Sequence, residues 1–122
     1  MDDSRPVFAQ LMEIIENDII TGVYAVDDLI ISTTQISKLY SVNPATAVKA
    51  IGRLTDDGIL YKKPGIGMCV AKGARERIIS RRKENFLGAT VDKLLAEAKT
   101  LGIPSSELIR VIKSREGANR ND

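Results

Sequence analysis

The 122-residue chain contains no histidine and a single cysteine, Cys69. Without histidine it lacks the commonest general base and metal ligand, and one thiol cannot complete a zinc site of any usual kind. A disulfide framework is excluded as well, and a lone thiol in an apolar run fits a reducing compartment. No stretch approaches the roughly 18 apolar residues of a membrane span. The opening Met1-Asp2-Asp3-Ser4-Arg5-Pro6-Val7-Phe8 is acidic and has no apolar core, so a secretory leader is not expected there. An enzyme would have to rely on carboxylates, lysines or the isolated thiol, and the acidic residues fall on helix surfaces and turns with no convergent pair. No catalytic residue, metal or cofactor is therefore assigned, no membrane partner is expected, and the expected localisation is cytoplasmic.

Net charge is also small, +2, but it is unevenly placed. Residues 1–37 carry one basic group, Arg5, and seven acidic ones, a balance of −6. Residues 38–83 carry eleven basic groups against Asp56, Asp57 and Glu76, a balance of +8, and residues 84–122 are neutral. A basic middle of this kind is an electrostatic footprint for a polyanion.

That middle holds the most informative stretch, Ser32 to Asp57. Ser32 with Gln35 three residues on forms a capping box ahead of Ile36 and Leu39. Ser41 interrupts the pattern, Val42 is the buried residue of a turn, and Asn43 caps a second helix with Pro44 at its first position. Ala47, Val48, Ala50, Ile51 and Leu54 recur at helical spacing, Val48, Ala50, Ile51 and Leu54 are assigned to the core, and Gly58 is a left-handed stop. A helix of about eight residues, a tight turn and a longer helix is the helix-turn-helix plan.

The flanks extend it. A first helix is predicted from Arg5 to Thr21, with Val7, Phe8, Leu11, Ile14, Ile15 and Ile19 as core stripe and Gln10, Glu13, Glu16 and Asp18 away from it. Leu29-Ile30-Ile31 is a short β-capable run that needs a partner. Ile59-Leu60-Tyr61-Lys62-Lys63 and Met68-Cys69-Val70-Ala71 supply one as a hairpin turning through Pro64-Gly65-Ile66-Gly67, with Cys69 buried in it. The expected fold is mainly α with a small β wing: a winged helix-turn-helix over 1–73 (helix-turn-helix about 33–57, wing about 59–71), then a C-terminal two-helix dimerisation region over 74–113. The polar tail 114–122 is expected to be disordered. Arg75, Arg77, Arg81, Arg82 and Lys83 are read as a solvated linker helix, with Ser105 capping the last helix.

Two such helices cannot bury their apolar faces alone. Phe86, Leu87, Val91, Leu94, Leu95, Ala98, Leu101, Leu108, Ile109 and Ile112 are therefore assigned to a homodimer interface, which also suits the reading of two half-sites. For double-stranded DNA the candidate contacts are Asn43, Ala45, Thr46 and Lys49 at the start of this helix, with Ala45 against a thymine methyl and Thr46 and Lys49 at bases or phosphates. Ser32, Thr33, Thr34 and Gln35 stand at a helix start that can grip phosphate. Arg53, Lys62 and Lys63, with Gly65 and Gly67 at the wing tip, lie along the backbone or minor groove. A winged helix can also serve as a protein–protein scaffold, but such a scaffold has no need of a basic central third. No polar constellation points to a small-molecule effector.

Together these residues resemble the GntR family of bacterial transcriptional regulators. The resemblance covers about residues 6–71: Pro6-Val7-Phe8-Ala9-Gln10-Leu11, Ile20-Thr21-Gly22, the run Val42 to Ala50, Leu54-Thr55-Asp56-Asp57-Gly58-Ile59-Leu60, and the wing Gly65-Ile66-Gly67-Met68-Cys69-Val70. The wing is similar to the family's G-x-G-[TM]-[FY]-V. The Val-Asn-Pro-x-Thr form and the short two-helix end resemble the YtrA-like subfamily, which implies a repressor of membrane-transporter genes. Two departures stand out. Val26-Asp27-Asp28 replaces the family's usual Pro-Gly-Asp turn, and Ile30-Ile31-Ser32-Thr33-Thr34 replaces Leu-Pro-Ser-x-Arg. Thr34 thus stands where the family commonly has a DNA-contacting Arg, and it cannot make that residue's bidentate contact to guanine.

Overall fold

In the computed structural model, which describes residues 3–120, the chain is mainly helical with one two-stranded antiparallel sheet. The chain divides into two compact units between Arg81 and Arg82. The first holds α1 (Val7–Ile20), α2 (Thr33–Tyr40), α3 (Pro44–Asp56), β1 (Leu60–Lys63), β2 (Gly67–Val70) and the first two turns of α4 (Ala74–Asn85). The second holds the end of α4, a π-helical turn (Phe86–Thr90), α5 (Val91–Thr100) and α6 (Ser105–Arg120).

The predicted caps form. Ser32 Oγ accepts from Gln35 N at 3.1 Å while Gln35 Oε1 accepts from Ser32 N at 2.9 Å, closing the capping box of α2. Ser41 takes the left-handed conformation, φ 53°, to turn the chain into α3. Asn43 Oδ1 accepts from Ala45 N at 2.8 Å. At the far end of α3, Gly58 N donates to Thr55 O at 3.0 Å and Ile59 N to Leu54 O at 2.9 Å. With Gly58 at φ +76° this is a Schellman stop, and it aims the chain straight into β1.

α3 is the central helix of the first unit: α1 and α2 both pack on it, and β1 follows against it. Leu11, Ile15 and Ile19 of α1, Ile36 of α2, and Ala47, Ala50, Ile51 and Leu54 of α3 form the core with Ile30, Ile59, Leu60 and Val70. Ala74 and Ile78 of α4 join the same core, which carries the first unit past residue 73.

The wing pairs Leu60 with Val70, Tyr61 with Cys69, Lys62 with Met68 and Lys63 with Gly67. Its turn has Pro64 and Gly65 at the centre, Gly65 at φ +75°, closed by Ile66 N to Lys63 O at 3.0 Å. The β-capable run at Leu29 lies along the other edge of β2 as a single bridge to Cys69, with Ile30 N donating to Met68 O at 3.0 Å. Asp27, where the resembling family has glycine, adopts φ 71°, and its carboxylate accepts from Tyr61 Oη at 2.7 Å. A side chain tolerant of left-handed backbone, tied to the wing, replaces the glycine.

Several expectations are corrected. α1 starts at Val7 with Pro6 as its cap and ends at Ile20. Gln10 and Glu16 are buried, not on the solvent side; Gln10 Nε2 donates to Arg5 O at 2.9 Å and Glu16 pairs with Arg81. Val48 is exposed, 58%, and does not belong to the core, and Leu39 of α2 is 65% exposed. α6 begins at Ser105 itself, with Pro104 O accepting from Glu107 N and Leu108 N. The helix runs on to Arg120 through the stretch read as a disordered tail, whose last two residues lie outside the described ones. Among the described residues no helix is long and apolar enough to cross a membrane, and no cluster of three metal-ligating side chains occurs.

Candidate nucleic-acid interface

The burial of α3 divides it cleanly. Ala47, Ala50, Ile51 and Leu54 turn inward, while Ala45, Val48, Lys49, Gly52, Arg53 and Asp56 turn outward. Thr46 is half-buried at the edge of the outer face. The exposed arc therefore contains Ala45, Lys49 and Arg53 as expected, and adds Val48 and Gly52. Val48 escapes a reading by periodicity because five apolar residues in eight leave open which arc is buried.

Lys49 and Arg53 share an aromatic platform. The Lys49 Nζ sits 4.1 Å above the ring centroid of Phe8, and the Arg53 guanidinium carbon is 5.3 Å from the same centroid. Phe8 comes from the first turn of α1 and was assigned to the core stripe; it is half-buried, packing on the core while its ring holds both cations beside α3. The i, i+4 spacing of the cations is readable in sequence, but their common partner 41 residues upstream of Lys49 is not.

At the start of α2, Ser32 and Gln35 spend hydrogen bonds on each other, leaving Thr33 and Thr34 to line the groove toward α3. That groove, about 220 Å³, is closed by Ser37, Lys38, Pro44 and Val48. A second cleft of about 240 Å³ places Ser32, Thr33 and Gln35 beside Gly67 of the wing and the exposed Leu29 and Ile66. So the helix-turn-helix and wing candidates do meet, at Gly67. An added Cβ on Gly67, φ +139°, would lie 3.0 Å from Leu29 Cδ1. Lys62 and Lys63 are exposed on β1 and point to opposite faces of the strand.

Three of the arginines read as a solvated linker, Arg75, Arg77 and Arg81, also bond to other parts of the first unit, Arg75 and Arg77 while remaining exposed. Arg75 Nε donates to Ile20 O at 3.1 Å, satisfying a carbonyl at the end of α1. Arg77 Nη1 bonds Gly58 O at 3.0 Å and Lys72 O at 2.9 Å. Arg81 pairs with the buried Glu16 and with Asp57, 3.2 Å. Of this positive run, Arg75, Arg77 and Arg81 are donors to carbonyls and carboxylates of the same unit.

In the second unit Ala98 alone is buried among the described residues. Phe86, Leu87, Leu94, Leu95, Leu101, Ile109 and Ile112 are exposed, and Val91 and Leu108 are half-buried. Ala98 therefore departs from its expected place on an open face; its carbonyl accepts from Ile103 N at 2.8 Å, in the stop of α5.

A helix-turn-helix with its second helix exposed along one arc, followed at once by a two-stranded hairpin, defines the class of winged helix-turn-helix proteins. A transcriptional regulator of the GntR family from Bacteroides thetaiotaomicron is 32% identical, aligned over 95% of this chain and 99% of its own, with a TM-score of 0.75. The uncharacterized HTH-type transcriptional regulator YurK of Bacillus subtilis (strain 168) is 33% identical over 92 residues, 74% of this chain. The chain spans only 38% of the length of that relative. The DNA-binding domain of AraR, solved in complex with operator ORR3, is 32% identical over 58% of this chain and 86% of its own, with a TM-score of 0.54. No protein-family model matches. The chain belongs to the GntR family of transcriptional regulators.

Proposed function

We propose that the chain is a dimeric, sequence-specific DNA-binding repressor of the YtrA-like kind, working in the cytoplasm on a palindromic operator. The observation that carries this reading is the outward arc of α3, bare at its centre and bordered by Lys49 and Arg53, within a segment whose charge balance is +8. In this reading α3 enters the major groove. Thr33 and Thr34 at the start of α2, with Thr46, Lys49 and Arg53 on α3, contact DNA, and Lys62, Lys63 and the Gly65 turn follow the adjacent backbone or minor groove. The operator complex of the related AraR domain supports this use of the fold.

Dimerisation is supported by the second unit's exposure, among the described residues, of eight large apolar residues around a single buried alanine. A unit of this size cannot stand on so little burial, and a second copy offers a matching face. The YtrA-like assignment is supported by the helical second unit that α4 leads into after the wing, and by a GntR relative matched over 99% of its length.

The test is a gel-shift titration of the purified protein against its own upstream DNA and a shuffled duplex, each at two salt concentrations. Tighter binding to the upstream DNA, weakening with salt, supports the proposal. Absent or salt-insensitive binding to both duplexes overturns it and favours a protein-binding role for the winged helix.

A further inference from the structure

The polar side chains at the start of α3 are engaged away from its outward centre. Asn43 Oδ1 is taken by Ala45 N at 2.8 Å, Thr46 is half-buried at the margin, and the Lys49 ammonium rests on Phe8. What remains in the middle of the arc is Ala45, Val48 and Gly52, spaced i, i+3 and i+7 so that they form one strip. Val48 is 58% exposed and forms the apolar wall of the 220 Å³ groove, facing Thr33 and Thr34 with Pro44 beside it. An exposed β-branched residue is stiff at χ1, so its methyl groups present a fixed surface.

We propose that Val48, walled by Pro44, is a specificity-determining residue that receives the C5-methyl group of a thymine in the major groove. The occupant follows from the surroundings. Lys38 lines the groove, and Lys49 and Arg53 border the strip, so the patch sits in cationic surroundings that suit a polyanion and not a neutral apolar partner. In the major groove the thymine methyl is the apolar feature a base pair displays, and an aliphatic side chain is its natural partner. With threonine at 34 and valine at 48, the groove between α2 and α3 offers methyl groups and no guanidinium fork. The proposal rests on α3 entering the major groove, as the proposed function has it.

The experiment begins by selecting bound duplexes from a random pool with the wild-type protein. Thymines of the selected site are then replaced one at a time by deoxyuridine, which lacks only the methyl group. For the wild type, at least one substitution per half-site should weaken binding roughly three- to five-fold, the worth of one buried methyl. In Val48→Ala the same substitution should have no further effect, and the variant should melt like the wild type because Val48 lies outside the core. Uracil effects that are absent, or equal in wild type and Val48→Ala, overturn the proposal while leaving DNA binding intact. Unchanged DNA binding with an altered oligomeric state in Val48→Ala would assign the patch to a protein contact and overturn it too. Failure to enrich any duplex overturns the reading of the chain as a DNA-binding regulator, and this proposal with it.

Discussion

The Lys49 ammonium lies 4.1 Å above the ring of Phe8, so a residue of the first helix holds the principal cation of the third. The contact is worth about 0.5–1 kcal/mol at an exposed site, too little to lock Lys49 away from DNA but enough to orient it. Lys49→Ala should cost about 1–3 kcal/mol of binding on the selected operator, and less elsewhere, if Lys49 reads a base. Equal loss on every duplex would make it a phosphate contact. Phe8→Leu keeps the apolar packing and removes the platform; titration calorimetry should show weaker DNA binding with a melting temperature only slightly lowered.

Glu16 is 4% exposed and 65 residues from its partner Arg81. Removing one member of a buried ion pair costs about 3–5 kcal/mol, and Arg81, a third exposed, places this pair toward the lower end. Arg81→Ala should therefore lower stability in chemical denaturation by about 3 kcal/mol. Lys83→Ala, two residues along and exposed, should change it far less. Equal effects would contradict the structural role given to Arg81.

Gly52 stands in the middle of α3 with open space around a built Cβ and no positive φ. Alanine there should stabilise the free protein by about 0.5–1 kcal/mol, because glycine is a poor helix former. If the strip lies against DNA, the same Gly52→Ala should weaken operator binding. A gain in both stability and affinity would place this face away from the DNA.

The helix-turn-helix was legible because its punctuation is local: Ser32 with Gln35, Asn43 with Pro44, and Gly58 each act within five residues. The wing was legible for the same reason, through Pro64-Gly65. What escaped depends on distant partners. Glu16 looks like a surface carboxylate until Arg81 arrives on α4, and Arg75 and Arg77 look solvated until Ile20 and Gly58 offer their carbonyls. Val48 and Leu39 obey the helical period, but which arc is buried depends on where α1 and β1 pack. Phe8 does pack on the core; that its ring also faces two cations follows from the way α1 crosses α3.

Tyr61 has its phenol pushed up from 10.0 to about 12, first by donating to the Asp27 carboxylate, then by partial burial and the negative charge of Asp27. The folded value lies above the unfolded one, so this contact contributes its full stability below pH 10 and loses it as pH rises through about 12. In an ultraviolet titration one of the three tyrosines should ionise late, and that late step should vanish in Tyr61→Phe and move down in Asp27→Gly. A wild type without that late step, or its persistence in Tyr61→Phe, would contradict the latch between the Asp27 turn and the wing.

The most direct measurement is the salt dependence of binding to the operator selected by the wild-type protein. If the outward arc of α3, the start of α2 and the wing together neutralise about six phosphates per dimer, log K should fall with log[salt] at a slope near −5. Removing the wing cations, Lys62→Ala with Lys63→Ala, should then flatten that slope while the preferred sequence stays the same. A slope near zero, or one unchanged by the loss of both lysines, would contradict a DNA interface built from this helix-turn-helix and its wing.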